Sequence, residues 1–352
     1  MFAWDPPLLL MLAMVIGFGL IVLYSAADRN LNTLTSQLVR IGLGLSVMLV
    51  AAQLPPRFYL RWTPVFYMLS VALVALVLTN GVTVNGSQRW LQLPGLRFQP
   101  SELLKLAVPM MVAWYFHDRP LPPGLGSLLV ALTICLVPAA LVVLQPDLGT
   151  GILVATSGAA VILLAGLPWR YVLGALLLAG AAAPVAWYGL QDYQKQRILT
   201  LFDPESDPLG AGWNISQATT AIGSGGLEGK GLFKGTQSHL DFLPESDTDF
   251  IIAVIGEELG FMGVLFVLLL YLTIVVRCLY TASLAKQTYS RLLSGALTLT
   301  FFVYVFVNVA MVSGMLPVVG VPLPLISYGG TSAITLLAGF GIIMSIYSHK
   351  SW

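Results

Sequence analysis

Six ionisable side chains stand within or at the mouths of long apolar runs: Arg40, Glu102, Lys105, Asp249, Glu257 and Glu258. A charge at the centre of a bilayer costs about 2.5 kcal/mol or more, so each of these needs a partner or a function. Asp249 ends the run Pro244-Glu245-Ser246-Asp247-Thr248-Asp249, just before an apolar stretch. A carboxylate there can act as a general base or can cap a helix. Thr248 could cap equally well, which leaves Asp249 available for chemistry. On a helix, Glu257 lies about 12 Å deeper and within roughly 80° of the same face, while Glu258 points to the opposite side. The candidate bases therefore rank Asp249, then Glu257, then Glu258.

Glu102 and Lys105 are spaced i, i+3 with the acid first, so they can pair on one helix face. Such a pair would fix helix register as a buried salt bridge or touch a substrate, and the two roles are compatible. Arg40 lies about six residues into its apolar run with no acid nearby in sequence. It must face a polar cavity or snorkel outward close to its reach, and cavity facing, with an anionic ligand or a distant carboxylate as partner, is the better fit. Other chemistries find less support. The glycine-rich stretch Gly223 to Gly231 lacks the phosphate-loop pattern and reads as a tight-turn scaffold. His117, His239 and His349 are scattered, and Cys135 and Cys278 have no metal-ligand neighbours in sequence.

The elements that must position these groups are membrane spans. Of 352 residues, 57% are hydrophobic and 9% charged, where a soluble domain carries about 25% charged residues. Crossing about 30 Å of hydrocarbon takes roughly 20 helical residues, and ten such runs occur, near 8–27, 34–54, 62–80, 100–116, 125–145, 148–167, 170–189, 250–277, 289–316 and 325–347. The sequence predicts an all-α polytopic membrane protein, one integral-membrane domain over residues 1–352. The first run resembles a signal peptide, but its flank carries Asp5 and no Lys or Arg, so it reads as a retained span. A net charge of +1 leaves no basic field for nucleic acid, which excludes that class of partner.

With an even number of spans, both termini share one side. Eight Lys and Arg in the short loops of that side (Arg57, Arg61, Arg119, Arg170, Arg277, Lys286, Arg291, Lys350) face three opposite (Arg29, Arg89, Arg97), which makes it cytoplasmic. Short connections make spans five and six, and six and seven, antiparallel neighbours. Residues Gln191 to Thr248 are too long for a simple loop; Trp213, Ile215, Leu227, Leu232, Phe233, Leu240 and Phe242 among the glycines suit a folded extracytoplasmic lid. Gly314, Pro317, Gly320, Pro322 and Pro324 break the chain between the last two spans. Broken backbone at membrane depth is tolerated only around a cavity, so a re-entrant turn is expected.

The run from Ser313 through Leu316-Pro317, Gly320, Pro322 and Pro324 to Ser327-Tyr328-Gly329-Gly330-Thr331-Ser332 resembles the signature of the SEDS (shape, elongation, division, sporulation) family. Leu243 to Phe250, leading to Gly256-Glu257-Glu258-Leu259-Gly260, and Gln99-Pro100-Ser101-Glu102-Leu103-Leu104-Lys105 are further matches. The likeness covers the chain, and Asp203 to Gly212, Gly235 to Ser238 and the short N-terminus look more like the RodA branch than FtsW. One departure is Asp247, where the family usually has His; a carboxylate two residues away would raise the pKa of Asp249.

The resemblance implies a peptidoglycan glycosyltransferase in the bacterial inner (cytoplasmic) membrane that polymerises lipid II at the outer face, surrounded by membrane lipid and working with a class B penicillin-binding protein, a transpeptidase. It needs no organic cofactor, and a divalent cation, Mg or Mn, would be compatible. Joined to the residues, it makes Asp249 the base of an inverting transfer. Arg40, Arg97 and Lys105 stabilise the departing pyrophosphate, and Glu102 and Glu257 complete the substrate site. The alternative is a lipid II flippase or another polytopic transporter, which would need charges along the inner half. A non-catalytic scaffold comes third.

Overall fold

A computed structural model describes residues 4–84, 87–93, 96–204, 207, 210–239 and 243–349. Leu240 and Phe242, the motif residues Glu205, Ser206, Pro208 and Leu209, and Lys350 lie outside the described residues.

Each of the ten apolar ranges coincides with one helix. They are α1 (Pro6–Ala26), α2 (Leu31–Gln53), α3 (Pro56–Asn80), α4 (Ser101–His117), α5 (Leu125–Val143), α6 (Leu148–Leu164) and α7 (Trp169–Gly189), then α11 (Ile251–Leu284), α12 (Thr288–Val312) and α13 (Thr331–Ser348). Between them the long connection carries α8 (Asp192–Phe202), α9 (Ala211–Gly225) and the one-turn α10 (Thr236–His239). Among the described residues, seven helices are long and apolar enough to cross a membrane: α1, α2, α3, α5, α11, α12 and α13. α6 and residues 169–185 are shorter apolar helices.

Polar residues set the helix starts. The Asp5 carboxylate accepts from the Leu8 amide, that of Asp147 from Thr150, and the side-chain oxygen of Asn30 from Asn32, satisfying N–H groups that a helix leaves free. Helix α4 sits at the centre, packed on α3, α5, α6, α12 and α13, with Leu104, Ala107, Val108, Val112, Ala113 and Phe116 fully buried. A helix enclosed on all sides can carry charges only as a pair, which is how Glu102 and Lys105 occur on it. Gly44 and Gly341 let α2 and α13 approach closely, as small residues do where apolar burial gives helices no drive to associate in lipid.

Three features depart from the sequence reading. The strands β1 (Val82–Val84), β2 (Ser87–Leu93) and β3 (Leu96–Phe98) form an antiparallel meander, the only sheet among the described residues, pairing Thr83 with Gln88 and Gln92 with Arg97. Its outer strands are too short for an alternating pattern to register. Helix α7 does not pack along α6: from Leu173 to Val185 its described side chains are exposed, and an all-apolar helix needs no protein partner in lipid. Helix α11 is interrupted at Gly260, which is non-helical at φ 65°, ψ −166°.

Between α12 and α13, residues 313–330 fold without regular structure into the bundle, with Val321, Leu323, Leu325 and Ile326 buried. Tyr271 Oη donates to the Pro324 carbonyl (2.6 Å) and Asn308 Nδ2 to that of Val321 (2.7 Å), so backbone groups freed by the prolines are met by helix side chains.

Candidate active site

A cavity of about 760 Å³ opens where the meander, the start of α4, the start of α6, the long connection and the 313–330 segment converge. Asp249 lines it. Helix α11 begins after Phe250, and no side chain caps it, so the capping explanation for Asp249 does not hold. The backbone on either side is anchored instead. Asn308 Nδ2 donates to the Asp249 carbonyl (2.8 Å), and the Tyr328 amide donates to that of Asp247 (2.8 Å). Glu245 adopts a left-handed backbone (φ 57°) and its carbonyl accepts from the amides of Thr248 (3.1 Å) and Phe250 (3.2 Å). This tight turn folds the Glu245 carboxyl back towards Asp249, and both line the cavity.

Burial, followed by the charge and hydrogen bond of Glu245, pushes the Asp249 carboxyl up to about 7, against the opposing pull of the Arg89 and Arg197 guanidinium groups. The neighbouring acid responsible is Glu245 rather than Asp247, whose own carboxyl is raised by burial. A base whose pKa lies near neutrality has the best compromise between being ionised and holding a proton.

The other candidates divide. Glu102 and Lys105 both line the cavity and pair at 2.6 Å, buried. Thr335 Oγ1 donates to the second oxygen of Glu102 (3.2 Å), and the Lys105 ammonium lies 4.7 Å from the Tyr304 ring centroid. Arg40 is not among the lining residues. Its guanidinium sits 4.4 Å over the ring of Tyr328, which does line the cavity, so its partner is an aromatic face rather than a carboxylate. Arg97 lies on β3 opposite Gln92, and its side chain is outside the described residues. Glu257 is not among the lining residues either: its carboxylate is wholly buried and turned to the long connection, accepting from Lys230 Nζ at 2.6 Å and from the Thr236 amide at 2.7 Å.

Two cations join the cavity that sequence spacing does not bring there, Arg89 of β2 and Arg197 of α8. Arg89 bonds Asp147 (3.3 Å), the same carboxylate that caps α6 and accepts from Gln99 (3.3 Å). Among the described residues no group of three His, Cys, Asp or Glu side chains is placed to hold a metal ion by protein ligands alone. The site thus offers one carboxylate near neutrality facing a space rimmed by guanidinium and ammonium groups, which suits proton abstraction beside an anionic leaving group.

A family profile described as cell cycle protein, grouping FtsW, RodA and SpoVE, matches residues 6–352. The chain belongs to this family. It is 50% identical to the peptidoglycan glycosyltransferase MrdB of Escherichia coli K12 over 347 residues, 98% of this chain and 94% of that one. It also resembles a chain from a peptidoglycan synthase complex that coordinates polymerization and crosslinking (TM-score 0.88, 32% identity, 99% of both chains covered). The rod shape determining protein RodA of Thermus thermophilus is similar over 99% of this chain and 98% of its own (TM-score 0.76, 29% identity). These likenesses extend over the whole FtsW/RodA/SpoVE fold, so cavity, meander and long connection all fall within the matched region.

Proposed function

We propose that the chain is a peptidoglycan glycosyltransferase that polymerises lipid II in the 760 Å³ cavity, with Asp249 as general base. Names carried by its relatives support the activity, and the residues supply the chemistry. Extension of a glycan strand requires the GlcNAc 4-hydroxyl of an acceptor to attack the anomeric carbon of a donor whose leaving group is undecaprenyl pyrophosphate. A pyrophosphate departs without a general acid, so one carboxylate suffices where glycoside hydrolysis uses two. Asp249 takes the hydroxyl proton as the new C–O bond forms. A single displacement with no covalent intermediate inverts the anomeric centre.

Arg89, Arg197 and Lys105 meet the charge that develops on the pyrophosphate, and Glu102 holds the Lys105 ammonium in place. Arg40 acts one side chain removed, through Tyr328. On this reading the cavity opens to the outer face of the inner membrane, residues 191–248 are an extracytoplasmic lid, and both termini are cytoplasmic. The partner is a class B penicillin-binding protein that crosslinks the strands.

The observation that carries the mechanism is Asp249 at the cavity wall, uncapping and held near neutrality beside two arginines. Asp249→Asn keeps shape and an acceptor oxygen while removing the base. Purified protein given labelled lipid II should lose at least about 10²-fold in polymerisation, with lipid II binding and melting temperature close to wild type. Polymerisation by the Asn variant at the wild-type rate would sink the assignment.

A further inference from the structure

In an unbroken α11 the amides of Phe261 and Met262 would donate to the carbonyls of Glu257 and Glu258. Gly260 turns the chain aside, and all four groups find other partners. Phe261 and Met262 donate to the carbonyls of Gly226 (2.9 Å) and Leu227 (3.2 Å), while those of Glu257 and Glu258 accept from the amides of Lys230 (3.0 Å) and Gly231 (2.8 Å). Residues 226–231 of the long connection are thereby spliced into the helix. A Cβ at Gly229 (φ 80°) would strike the Glu258 carbonyl, and one at Gly260 would strike the Gly229 amide and the Leu227 carbonyl, so both positions require glycine.

Side chains tighten the splice. The buried Oε1 of Glu257 accepts from Lys230 Nζ (2.6 Å), the Thr236 amide (2.7 Å), Thr236 Oγ1 (3.0 Å) and the Gln237 amide (3.0 Å). Lys230 Nζ also reaches Thr236 Oγ1 (2.7 Å). Glu258 accepts from Ser25 Oγ at 2.7 and 2.8 Å, which ties the same turn to α1. Residues 251–259 are therefore a short helix fixed at its far end by the splice, and Asp249 precedes its near end.

We propose that Glu257, with Lys230 as its partner, is a positioning residue for Asp249: it fixes the short helix that aims Asp249 at the acceptor hydroxyl. This rests on the reading of Asp249 as the base. Glu257 is absent from the cavity wall, so its effect reaches the reaction through backbone it holds in place, the 251–259 segment that follows Asp249. A misplacement of about 1 Å at the reacting atoms can cost about 10²-fold in rate.

The test is steady-state polymerisation of lipid II by the full-length protein in proteoliposomes, with kcat and KM separated. Glu257→Ala should lower kcat by about 10²-fold with KM near wild type. Lys230→Met, which leaves the three donors from Thr236 and Gln237 in place, should show the same split more weakly and guards against a folding failure of the first variant. A Cβ built at Gly256 lies 3.5 Å from that of Ile222 on α9, within disulfide range. Adding Ile222→Cys with Gly256→Cys to Glu257→Ala should therefore restore kcat at least tenfold on oxidation and lose it again on reduction. Unchanged kcat in both Glu257→Ala and Lys230→Met, a rise in KM alone, or a loss that the crosslink does not repair would overturn the proposal. Asp249→Asn in the same assay separates the two readings: wild-type activity there defeats the base itself, whereas an inactive Asn variant beside an active Glu257→Ala defeats only the positioning role.

Discussion

Asp249 owes its behaviour to neighbours that sequence spacing only partly reveals. Burial and the Glu245 carboxyl hold its proton on, while Arg89 and Arg197 pull the other way. Raising a carboxyl to about 7 leaves it largely protonated in acid and ionised above neutrality, so polymerisation should climb with pH through about 7 and then level. Glu245→Gln removes a nearby negative charge and should move that rising limb to lower pH. Arg197→Ala removes a positive one and should move it higher. The measurement is kcat/KM against pH for the three proteins, and limbs that do not move in opposite directions would show that Asp249 does not set the profile. The Glu102–Lys105 pair was legible because an i, i+3 spacing on one helix needs no tertiary knowledge. Arg89 and Arg197 were not, since a strand and a surface helix 108 positions apart meet only through the fold. The surroundings of Glu257 were not legible, because helical geometry could not say that the chain beside it would be the long connection.

At the scale of elements, hydropathy located the ten helices and missed what interrupts or leaves them. Apolar residues continue through Gly260, so no composition change marks the break in α11, and only its positive φ reveals it. The break between α12 and α13 was legible because prolines and glycines announce it. Its placement depends on two glycines in other helices. A Cβ at Gly19 of α1 would lie 2.8 Å from Ile326 Cα, and one at Gly149 of α6 would lie 2.8 Å from the Val319 carbonyl oxygen, in each case against backbone that cannot swing away. Because Val319 and Gly320 line the cavity and Gly320 faces the Asp249 carboxylate, pushing this segment deforms the site as well as the packing. Gly19→Ala and Gly149→Ala should each destabilise by about 1–3 kcal/mol through overpacking and reduce polymerisation, read as melting temperature and initial rate. Gly17→Ala, where a Cβ meets nothing within 4 Å, is the control and should lower neither melting temperature nor rate. Helix propensity favours Ala over Gly, so an equal loss at Gly17 and Gly19 would mean that the contact with Ile326 is not responsible.

The whole molecule sorts its charges by end, and that asymmetry sets its orientation. The meander, the long connection and the cavity gather at one end of the bundle, while Arg57 and Arg61 in the first turns of α3 and Arg119 and Lys286 in connections fall at the other. If the positive end is cytoplasmic, the cavity faces outward, where a lipid-linked sugar would be polymerised. Cysteine labelling decides it cleanly, because Cys135 and Cys278 are both buried and should stay silent in the folded protein. Ser224 at the end of α9 and Ser348 at the end of α13 are exposed and lie outside the cavity wall. Ser224→Cys should react with a membrane-impermeant maleimide added to intact spheroplasts. Ser348→Cys should react only after the membrane is opened. Reaction of both from the same side would require an even number of spans between them rather than α11, α12 and α13, and reaction of Ser348→Cys alone from outside would invert the protein and place the cavity, with Asp249, on the side where the positive-inside rule does not put it.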